Sequence, residues 1–401
     1  MDFKQLRVAL KGICVYKHMM TRPVMTAVTA LLDRLACGEG EQALEAYTDL
    51  YHALCAHGVQ GLGQWLDETL RYEENPYADL LARGEQDEVL TAAAEGDIAV
   101  FRALGELDCQ PLTQELGRLL GAEFESVLGT LPRWKRGADF DFEGLSRFYR
   151  LHGAGLFARY RAFLWEDGQL YPVERPDCPK PEELLGYEMQ RQQVVANTRA
   201  LVAGHPVNNV LLFGDSGTGK SATVKSLLSV EGLESLRLIE VQKDALGDMT
   251  RLIRTLRSRP QKFILFIDDL AFDQDDKVFS DLKTILEGGL EPRPANVAVY
   301  ATSNRRHLVR QTFSERAGEE VDTFETIAEK TALSERFGLR IPYQNMDKKG
   351  YLALIDHLAA REGITMERET LHQMAMQWDI RHGGRTPRSV HKFIASLSVE
   401  E

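Results

Sequence analysis

The residues best suited to chemistry in this chain of 401 residues form one glycine-rich run, Gly214-Asp215-Ser216-Gly217-Thr218-Gly219-Lys220-Ser221. The run has the spacing G-x-x-x-x-G-K-S, with an apolar strand pattern before it and a helical pattern after it. Glycines at these positions let the backbone curl so that its N–H groups point at phosphate oxygens. Lys220 would place a positive charge on the β- and γ-phosphates, and the Ser221 hydroxyl would coordinate Mg²⁺. The run therefore predicts a site that binds ATP together with Mg²⁺.

A second, acidic element is expected where another strand of the same sheet ends. The apolar run 263–267 ends in Asp268 and Asp269, and Asp268 lies 48 positions after Lys220. Asp268 is expected to hold Mg²⁺, directly or through water. Asp269 stands where a catalytic glutamate commonly would, so the pair predicts the hydrolytic half of the site.

A parallel sheet is the element that must position these residues. Short apolar runs alternate with helical patterns at 209–213, 236–241, 263–267, 297–302 and 339–341. Near-continuous apolar strands separated by helices indicate an α/β fold whose parallel sheet is covered on both faces. Three more helices are predicted at 348–362, 367–378 and 387–397. We therefore expect a nucleotide-binding core over 182–343 and a helical lid over 344–401.

The front of the chain shows a different pattern. Helices are predicted at 27–37, 41–57, 62–72, 85–94, 98–107 and 113–120, each closed by Gly, Asn-Pro or Pro. No convincing β alternation interrupts them. Pro172, Pro176, Pro179 and Pro181 then fall within ten residues, which neither a helix nor a central strand accepts. We expect an all-α N-terminal domain over 1–171 and a linker over 172–181.

Three further motifs follow the acidic pair and narrow the comparison. They are Thr302-Ser303-Asn304 at a strand end, Ser334-Glu335-Arg336-Phe337, and Gly384-Arg385-Thr386-Pro387-Arg388 at the start of the last helix. In this order, the five motifs resemble those of the AAA+ ATPases over about residues 182–398. Leu185-Gly186-Tyr187-Glu188 and Ala301-Thr302-Ser303-Asn304-Arg305-Arg306-His307-Leu308 look like the bacterial AAA+ family filed as domain of unknown function 815. That family name carries no established reaction beyond nucleotide handling.

The resemblance implies a role for each matching residue. Asn304 looks like the sensor that orients the attacking water near the γ-phosphate. Arg336 looks like the arginine finger that reaches the nucleotide of a neighbouring subunit, which implies a homo-oligomer such as a hexameric ring. Arg388 resembles the second sensor, which brings charge from the lid to the phosphates, and Arg385 competes for this role. Tyr187 looks like a contact on the adenine side, with plain core packing as its alternative.

The acidic pair departs from the pattern of many AAA+ proteins, which have Asp-Glu where this chain has Asp268-Asp269. Aspartate is one methylene shorter, so its carboxylate reaches roughly 1.5 Å less far. General-base geometry is demanding on the scale of a hydrogen bond. The family filed as domain of unknown function 815 also shows paired aspartates. We therefore expect hydrolysis either to be slow or to depend on a rearranged backbone.

Composition and charge limit the classes of partner and the cellular compartment that are expected. The chain carries 60 acidic and 48 basic side chains, and residues 1–171 hold 26 and 17 of these. A formal net charge of -12 argues against wrapping of nucleic acid by bulk charge. The acidic front favours a basic protein client. Because the sequence shows no transmembrane run, no signal-peptide pattern and no C-x-x-C pair among its five cysteines, a cytoplasmic protein is expected.

Three functions stay open from the sequence. The first is an AAA+ ATPase whose lid and core move relative to each other and do mechanical work on a protein client bound by residues 1–171. The second is a nucleotide-gated switch or adaptor with slow hydrolysis, which the Asp268-Asp269 pair and the lack of an aromatic pore motif favour. The third is a nucleic-acid-loading ATPase, which the overall acidity opposes. It depends on two basic clusters, Arg251, Arg254, Arg257 and Arg259, and Arg305, Arg306, His307 and Arg310.

Overall fold

The computed structural model describes residues 2–270, 282, 286, 293–304 and 336–397. The chain divides into two compact units, Met1–Arg159 and Tyr160–Glu401. The first unit has an apolar core made by helices. The second contains the sheet, the glycine-rich run and the helical lid, with separate apolar clusters beside the sheet and inside the lid.

The regular structure of the first unit, over its described residues, is helical. Its α-helices are α1 (Phe3–Lys11), α2 (Pro23–Cys37), α3 (Gly40–Ala56), α4 (Leu62–Leu70), α5 (Pro76–Ala82), α6 (Glu88–Gly105), α7 (Cys109–Leu120), α8 (Glu125–Leu128), α9 (Phe142–His152) and α10 (Leu156–Arg159). Helix α2 shows why they form, because its apolar positions 24, 28, 31 and 35 share one face and are all buried. It begins at Pro23, whose fixed φ suits the first turn, and ends before Gly38, which has φ 76°.

Helix boundaries in this unit differ from the predicted ones, since α2 and α7 each begin four residues earlier, and two further differences change how the helices are divided. The ranges 85–94 and 98–107 belong to one helix, α6, which continues through Gly96. The Asn75-Pro76 pair, which the sequence pattern indicated as a helix stop, also starts α5. The Asn75 side chain accepts a hydrogen bond from the Ala78 N–H at 2.9 Å, and Pro76 occupies the first helical position.

The second unit is built on a seven-stranded sheet of order β2-β1-β4-β5-β6-β3-β7. Its strands are β1 (Ala162–Glu166), β2 (Gln169–Pro172), β3 (Val210–Gly214), β4 (Leu236–Val241), β5 (Lys262–Ile267), β6 (Val297–Ser303) and β7 (Leu339–Tyr343). All neighbours are parallel except β1 and β2. The helices α11 (Glu188–Val202), α12 (Lys220–Ser226) and α13 (Met249–Leu256) connect them. The predicted parallel sheet is confirmed, and its five predicted strands lie within two residues of the observed ones.

The hairpin of β1 and β2 corrects the helical interpretation of residues 160–171. These strands extend the sheet beyond β4, so the sheet begins before the predicted linker, and the first compact unit ends at Arg159 rather than at residue 171. The turn contains Asp167 with φ 50° and Gly168 with φ 71°. Positive φ at both central residues and the Asp-Gly pair are typical of a tight β-hairpin turn. This local signal was present in the sequence.

The lid consists of α14 (Lys348–Arg361), α15 (Arg368–His382) and α16 (Pro387–Leu397). These helices match the three predicted ranges, and α16 has the predicted bounds. Their apolar faces enclose a small core that includes Tyr351, Ile355, Leu371, Val390 and Phe393. The lid follows β7 after four residues, so the end of β7 leads directly from the sheet into the lid.

The order of the strands brings the candidate site residues together. Strand β3 lies beside β6, and β6 lies beside β5, with all three parallel. Their carboxyl ends therefore share one edge of the sheet. Gly214 ends β3, Asp268 and Asp269 follow β5, and Asn304 follows β6. Ligands in open parallel sheets bind at this edge.

Candidate active site

The glycine-rich run forms a loop with left-handed backbone at its glycines. Gly214 has φ 135°, and a Cβ there would lie 2.1 Å from the carbonyl oxygen of Tyr343. Gly217 has φ 77°, and a Cβ there would approach the Arg388 Cβ to 3.1 Å. Side chains at these positions would force the loop away from β7 and from the lid. Glycine at these positions thus allows the loop to pack closely against β7 and the lid.

Lys220 lies under this loop with its ammonium group fully engaged. Its side chain is only 6% exposed, and Nζ donates to the carbonyl oxygens of Gly214 at 3.0 Å and Asp215 at 2.7 Å. The third donor bonds the Asn304 Oδ1 at 2.9 Å. Burial lowers the pKa of Lys220, and the nearby carboxylates of Asp215, Asp269 and Asp268 oppose that shift.

Asp268 joins the loop to the end of β5. Its Oδ1 accepts hydrogen bonds from the Ser221 hydroxyl at 2.6 Å and from the Thr302 hydroxyl at 2.5 Å. Two oxygen ligands are thereby adjacent, and oxygen is what Mg²⁺ prefers. No group of three or more His, Cys, Asp and Glu side chains suited to a metal occurs among the described residues. The pair fits a metal that takes its remaining ligands from phosphate and water, as Mg²⁺ usually does.

Asp269 has an unusual backbone and a defined side-chain contact. Its φ is 50°, in the left-handed region that non-glycine residues rarely adopt. Its Oδ1 accepts a hydrogen bond from the Asn304 Nδ2 at 2.8 Å. Since the other end of the Asn304 amide accepts from Lys220, one side chain links the carboxylate after β5 to the lysine of the loop. The two residues predicted for water activation are in direct contact.

The segment between β7 and the lid is tied to the loop and to Tyr187. The Asp215 N–H donates to the Tyr343 carbonyl at 2.9 Å, and the Asp215 carboxylate accepts from the Asn345 N–H at 2.8 Å. The Tyr187 ring stacks on Tyr343 with centroids 4.9 Å apart, and its hydroxyl donates to the Gln344 carbonyl at 2.6 Å. Burial raises the pKa of Tyr187 to about 12. Any motion of the lid must therefore bend a segment that the loop holds.

A cavity of about 520 Å³ opens beside this segment. Residues 185–190 line one side, and the start of the lid lines the other with Met346, Leu354 and His357. Gly186 has φ 72°, and a Cβ there would lie 2.4 Å from the Met346 methyl carbon. The cavity thus has a wall of mixed apolar and polar residues. Tyr187 belongs both to this wall and to the packing of Tyr343, so both predicted roles are compatible with its position.

The two lid arginines have different surroundings. The backbone N–H of Arg388 donates to the Gly217 carbonyl at 3.3 Å, which places the start of α16 against the glycine-rich loop. The Arg385 Nε instead bonds the Asp379 carboxylate at 2.8 Å, within the lid. Arg388 is therefore the lid arginine that lies at the loop.

Arg336 lies away from the other candidate residues of the same chain. It is exposed and precedes β7, whose first residue Leu339 pairs with Val210 at the start of β3. The loop lies past the other end of β3, a strand length of roughly 15 Å away. The fold thus places Arg336 at the amino edge of the sheet, opposite the loop of its own chain.

The basic clusters are only partly within the described residues. Arg251 and Arg254 lie on the exposed face of α13, whose Met249, Leu252 and Leu256 are buried. Arg305, Arg306, His307 and Arg310 lie outside the described residues. Across the described part of the chain, no helix is long and apolar enough to cross a membrane.

The sequence pattern predicts no individual contact for Thr302 or Asp215. Thr302 bonds the acidic pair, and Asp215 bonds the segment that leads to the lid. Both residues lie inside motifs that the sequence did reveal. Their partners are distant in sequence, so no local pattern could identify these contacts.

Among solved structures, the chain is similar to the RuvB Holliday junction branch migration motor of Thermotoga maritima. The sequence identity is 18% and the TM-score 0.38, over 55% of this chain and 64% of that chain. A point mutant of the same protein matches with 19% identity and a TM-score of 0.38, over the same shares. This chain thus spans less than two thirds of the RuvB chains that it matches.

The predicted fold class is the one observed over the described residues. It is an α/β core with a mostly parallel sheet, a glycine-rich loop after β3 and a C-terminal helical lid, preceded by an all-α unit. Residues 158–401, more than half of the chain, match the family described as "Protein of unknown function (DUF815)", and the chain therefore belongs to that family.

Proposed function

We propose that this protein is an ATPase that binds and hydrolyses ATP with Mg²⁺ and couples motion of its lid against its core to remodelling or assembly of a protein partner. The observation that carries the proposal is the connected set of Ser221, Asp268, Asp269, Asn304 and Lys220 at one edge of the sheet. Phosphoryl transfer to water requires a positive charge on the phosphates, oxygen ligands for Mg²⁺ and polar groups that orient the attacking water. This set of residues supplies all three kinds of group.

Binding of ATP would use two parts of the site. The phosphates would lie on the loop 214–221, where Lys220 exchanges its contact with Asn304 for phosphate oxygens. The base would enter the cavity between Tyr187 and the start of the lid, and Arg388 would add positive charge from α16. Since the cavity wall includes residues of both the core and the lid, the bound nucleotide would contact both.

Mg²⁺ would be held by the Ser221 hydroxyl and the Asp268 carboxylate, whose oxygens lie 2.6 Å apart. Bound there, the ion would neutralise charge on the phosphates during transfer. Asn304 would orient a water molecule, and Asp269 would accept its proton. The water oxygen bonds the γ-phosphorus as the bond to the β–γ bridging oxygen breaks, which gives ADP and inorganic phosphate.

Arg336 is proposed to act on the nucleotide of a neighbouring subunit. Its place at the amino edge of the sheet puts it opposite the loop of its own chain. A head-to-tail contact between copies would bring that edge to the next subunit's loop. The proposal therefore includes a homo-oligomer, for which a hexameric ring is the expected form.

Release of phosphate from ATP tests the proposal. The wild-type protein should hydrolyse ATP in a Mg²⁺-dependent reaction, and Lys220→Ala should lose both ATP binding and turnover. Lys225→Ala is the matched control, because Lys225 lies on the same helix and faces Glu240 at 3.9 Å. Loss of binding in both variants, or in neither, would contradict the assigned role of Lys220.

Capture of a client tests the coupling. An Asp269→Asn protein that retains ATP should hold its partner, and removal of the acidic first unit should release it. A basic protein lost on this truncation would support a client bound by that unit. Retention of the same partner by the truncated protein would place the client on the core or the lid.

A nucleotide-gated switch is the second candidate, and the short Asp269 side chain favours it. In a switch, ATP binding alone would order the assembly and slow hydrolysis would reset it. A client that assembles with the ATP-bound Asp269→Asn protein and keeps its own structure throughout the cycle would support the switch. A structural change of the client that requires hydrolysis and is lost in Asp269→Asn would support the remodelling motor.

A further inference from the structure

Thr302 is a buried side chain that contacts the acidic pair from the neighbouring strand. It lies on β6, two residues before Asn304, and is 2% exposed. Its register partner on β3 is Leu212, and the preceding residue Ala301 pairs with Ile267, the last residue of β5. Thr302 is thus opposite the point where β5 ends and the acidic pair begins.

Three successive residues after β5 are bonded to Thr302. Its hydroxyl donates to the Asp268 Oδ1 at 2.5 Å, and its Oγ1 accepts from the Asp269 N–H at 2.9 Å. Its backbone carbonyl accepts from the Leu270 N–H at 2.7 Å. A threonine hydroxyl has one proton and two lone pairs, so it can make the first two bonds together. The hydroxyl therefore contacts the Asp268 carboxylate and the N–H of the peptide between Asp268 and Asp269, and this N–H also approaches the Asp268 Oδ1 at 3.2 Å.

The backbone of Asp269 needs such support. Its φ of 50° is left-handed, and a non-glycine residue keeps such a strained conformation only where its surroundings hold it. This backbone also decides where the short carboxylate points, and that carboxylate meets the Asn304 amide. A change of backbone direction can thereby replace the reach that a glutamate would have.

We propose that the hydroxyl of Thr302 positions Asp269 for catalysis. The hydroxyl accepts the backbone N–H of Asp269 and so holds that residue in its left-handed conformation, and it also orients the Asp268 carboxylate toward Ser221. The inference rests on the proposed function and deepens it. Thr302 acts through the two aspartates and is a positioning residue. It is the reason that an Asp-Asp pair can serve where the longer glutamate is common.

The test compares three substitutions of buried threonines. Thr302→Val keeps the shape and removes the hydroxyl, whereas Thr302→Ser keeps the hydroxyl. Thr198→Val is the matched control, because Thr198 is equally buried and its hydroxyl bonds the Val194 carbonyl and the Tyr300 hydroxyl, away from the acidic pair. The control measures what loss of a buried threonine hydroxyl does to this core in general.

Turnover is the first readout. Thr302→Val should lower kcat at least about 10-fold with KM for ATP within about 3-fold of wild type, because the contact acts on the general base. Thr302→Ser should stay within about 3-fold of the wild-type kcat, and so should Thr198→Val. An equal fall of kcat in Thr302→Val and Thr198→Val would overturn the proposal, since the effect would then be one of core packing.

Hydrogen exchange of the Asp269 amide is the second readout and needs no nucleotide. In protein labelled with ¹⁵N-aspartate, this amide should exchange at least about 10-fold faster in Thr302→Val than in Thr198→Val, and at the wild-type rate in Thr302→Ser. An unchanged rate in Thr302→Val would overturn the proposal even if kcat falls. Absence of turnover in the wild-type protein would contradict the proposed function instead, and the exchange rates would still decide whether Thr302 holds Asp269.

Discussion

Asn304 donates a hydrogen bond from its side-chain amide to the carboxylate of Asp269 at 2.8 Å. The two residues follow different strands and lie 35 positions apart in the chain. The same amide accepts a hydrogen bond from Lys220. The side chains proposed for water activation are therefore linked to the lysine proposed for phosphate binding, and a change at one should be felt at the others.

Asp269→Asn should abolish turnover while ATP binding survives. The amide keeps the size of the carboxylate but cannot accept the proton of the attacking water. We expect kcat to fall at least about 100-fold and the affinity for ATP to stay within a few-fold, as measured by phosphate release and by equilibrium binding. Asp244→Asn, on an exposed residue of the same unit, is the control. Unchanged ATPase activity of Asp269→Asn would remove Asp269 from the mechanism.

Arg388→Ala and Arg385→Ala should have different effects. Arg388 lies beside Gly217, so its loss should weaken ATP binding by about 10-fold, which corresponds to one charge-assisted contact. Arg385 bonds Asp379 inside the lid, so its loss should lower the melting temperature with a smaller effect on affinity. Binding isotherms and thermal unfolding of both variants separate the two roles. The reverse pattern would assign the sensor role to Arg385.

Arg336→Ala should be rescued by mixing with Lys220→Ala. Each variant alone should be inactive, since one lacks the finger and the other cannot hold ATP. In a mixed oligomer, a Lys220→Ala subunit can offer its intact Arg336 to the loop of an Arg336→Ala subunit. Random mixing should restore roughly a quarter of the wild-type rate, because about one head-to-tail contact in four has both intact parts. A mixture as inactive as its components would argue that Arg336 does not act in trans.

Alkaline pH should change stability and ATP binding in opposite directions through Lys220. Burial lowers its pKa in the folded protein below the ordinary 10.5. Between the two values the unfolded chain binds the proton and the folded chain does not, so the free energy of unfolding should rise with pH in that window. Over the same window the affinity for ATP should fall, because the ammonium charge is lost. Denaturant titrations of the wild type relative to Lys220→Met, and ATP-binding curves of the wild type across the same window, check both signs. A stability difference that is flat or falls with pH would contradict the shift.

The local patterns of the second unit were sufficient to predict most of its elements. The glycine-rich run, the apolar strands and the lid helices are contiguous, so their residue types and periodicity carry the information. The hairpin at Asp167-Gly168 was missed, although its turn signal is local. Helix α5 was also missed, because Asn75-Pro76 ends one helical pattern and caps the next. These errors concern the interpretation of local signals rather than information absent from the sequence.

The sequence by itself determined which residues could handle a nucleotide, because the spacing from Gly214 to Ser221 and the two aspartates after β5 are local properties. Only the tertiary structure decided how these residues meet. Strand order puts β6 between β3 and β5, so Asn304 contacts both Lys220 and Asp269, and Thr302 bonds the acidic pair. Packing of the lid also places Arg388, rather than Arg385, at the loop. These relations depend on hydrogen bonds between residues far apart in sequence, which form only when the strands and the lid are packed.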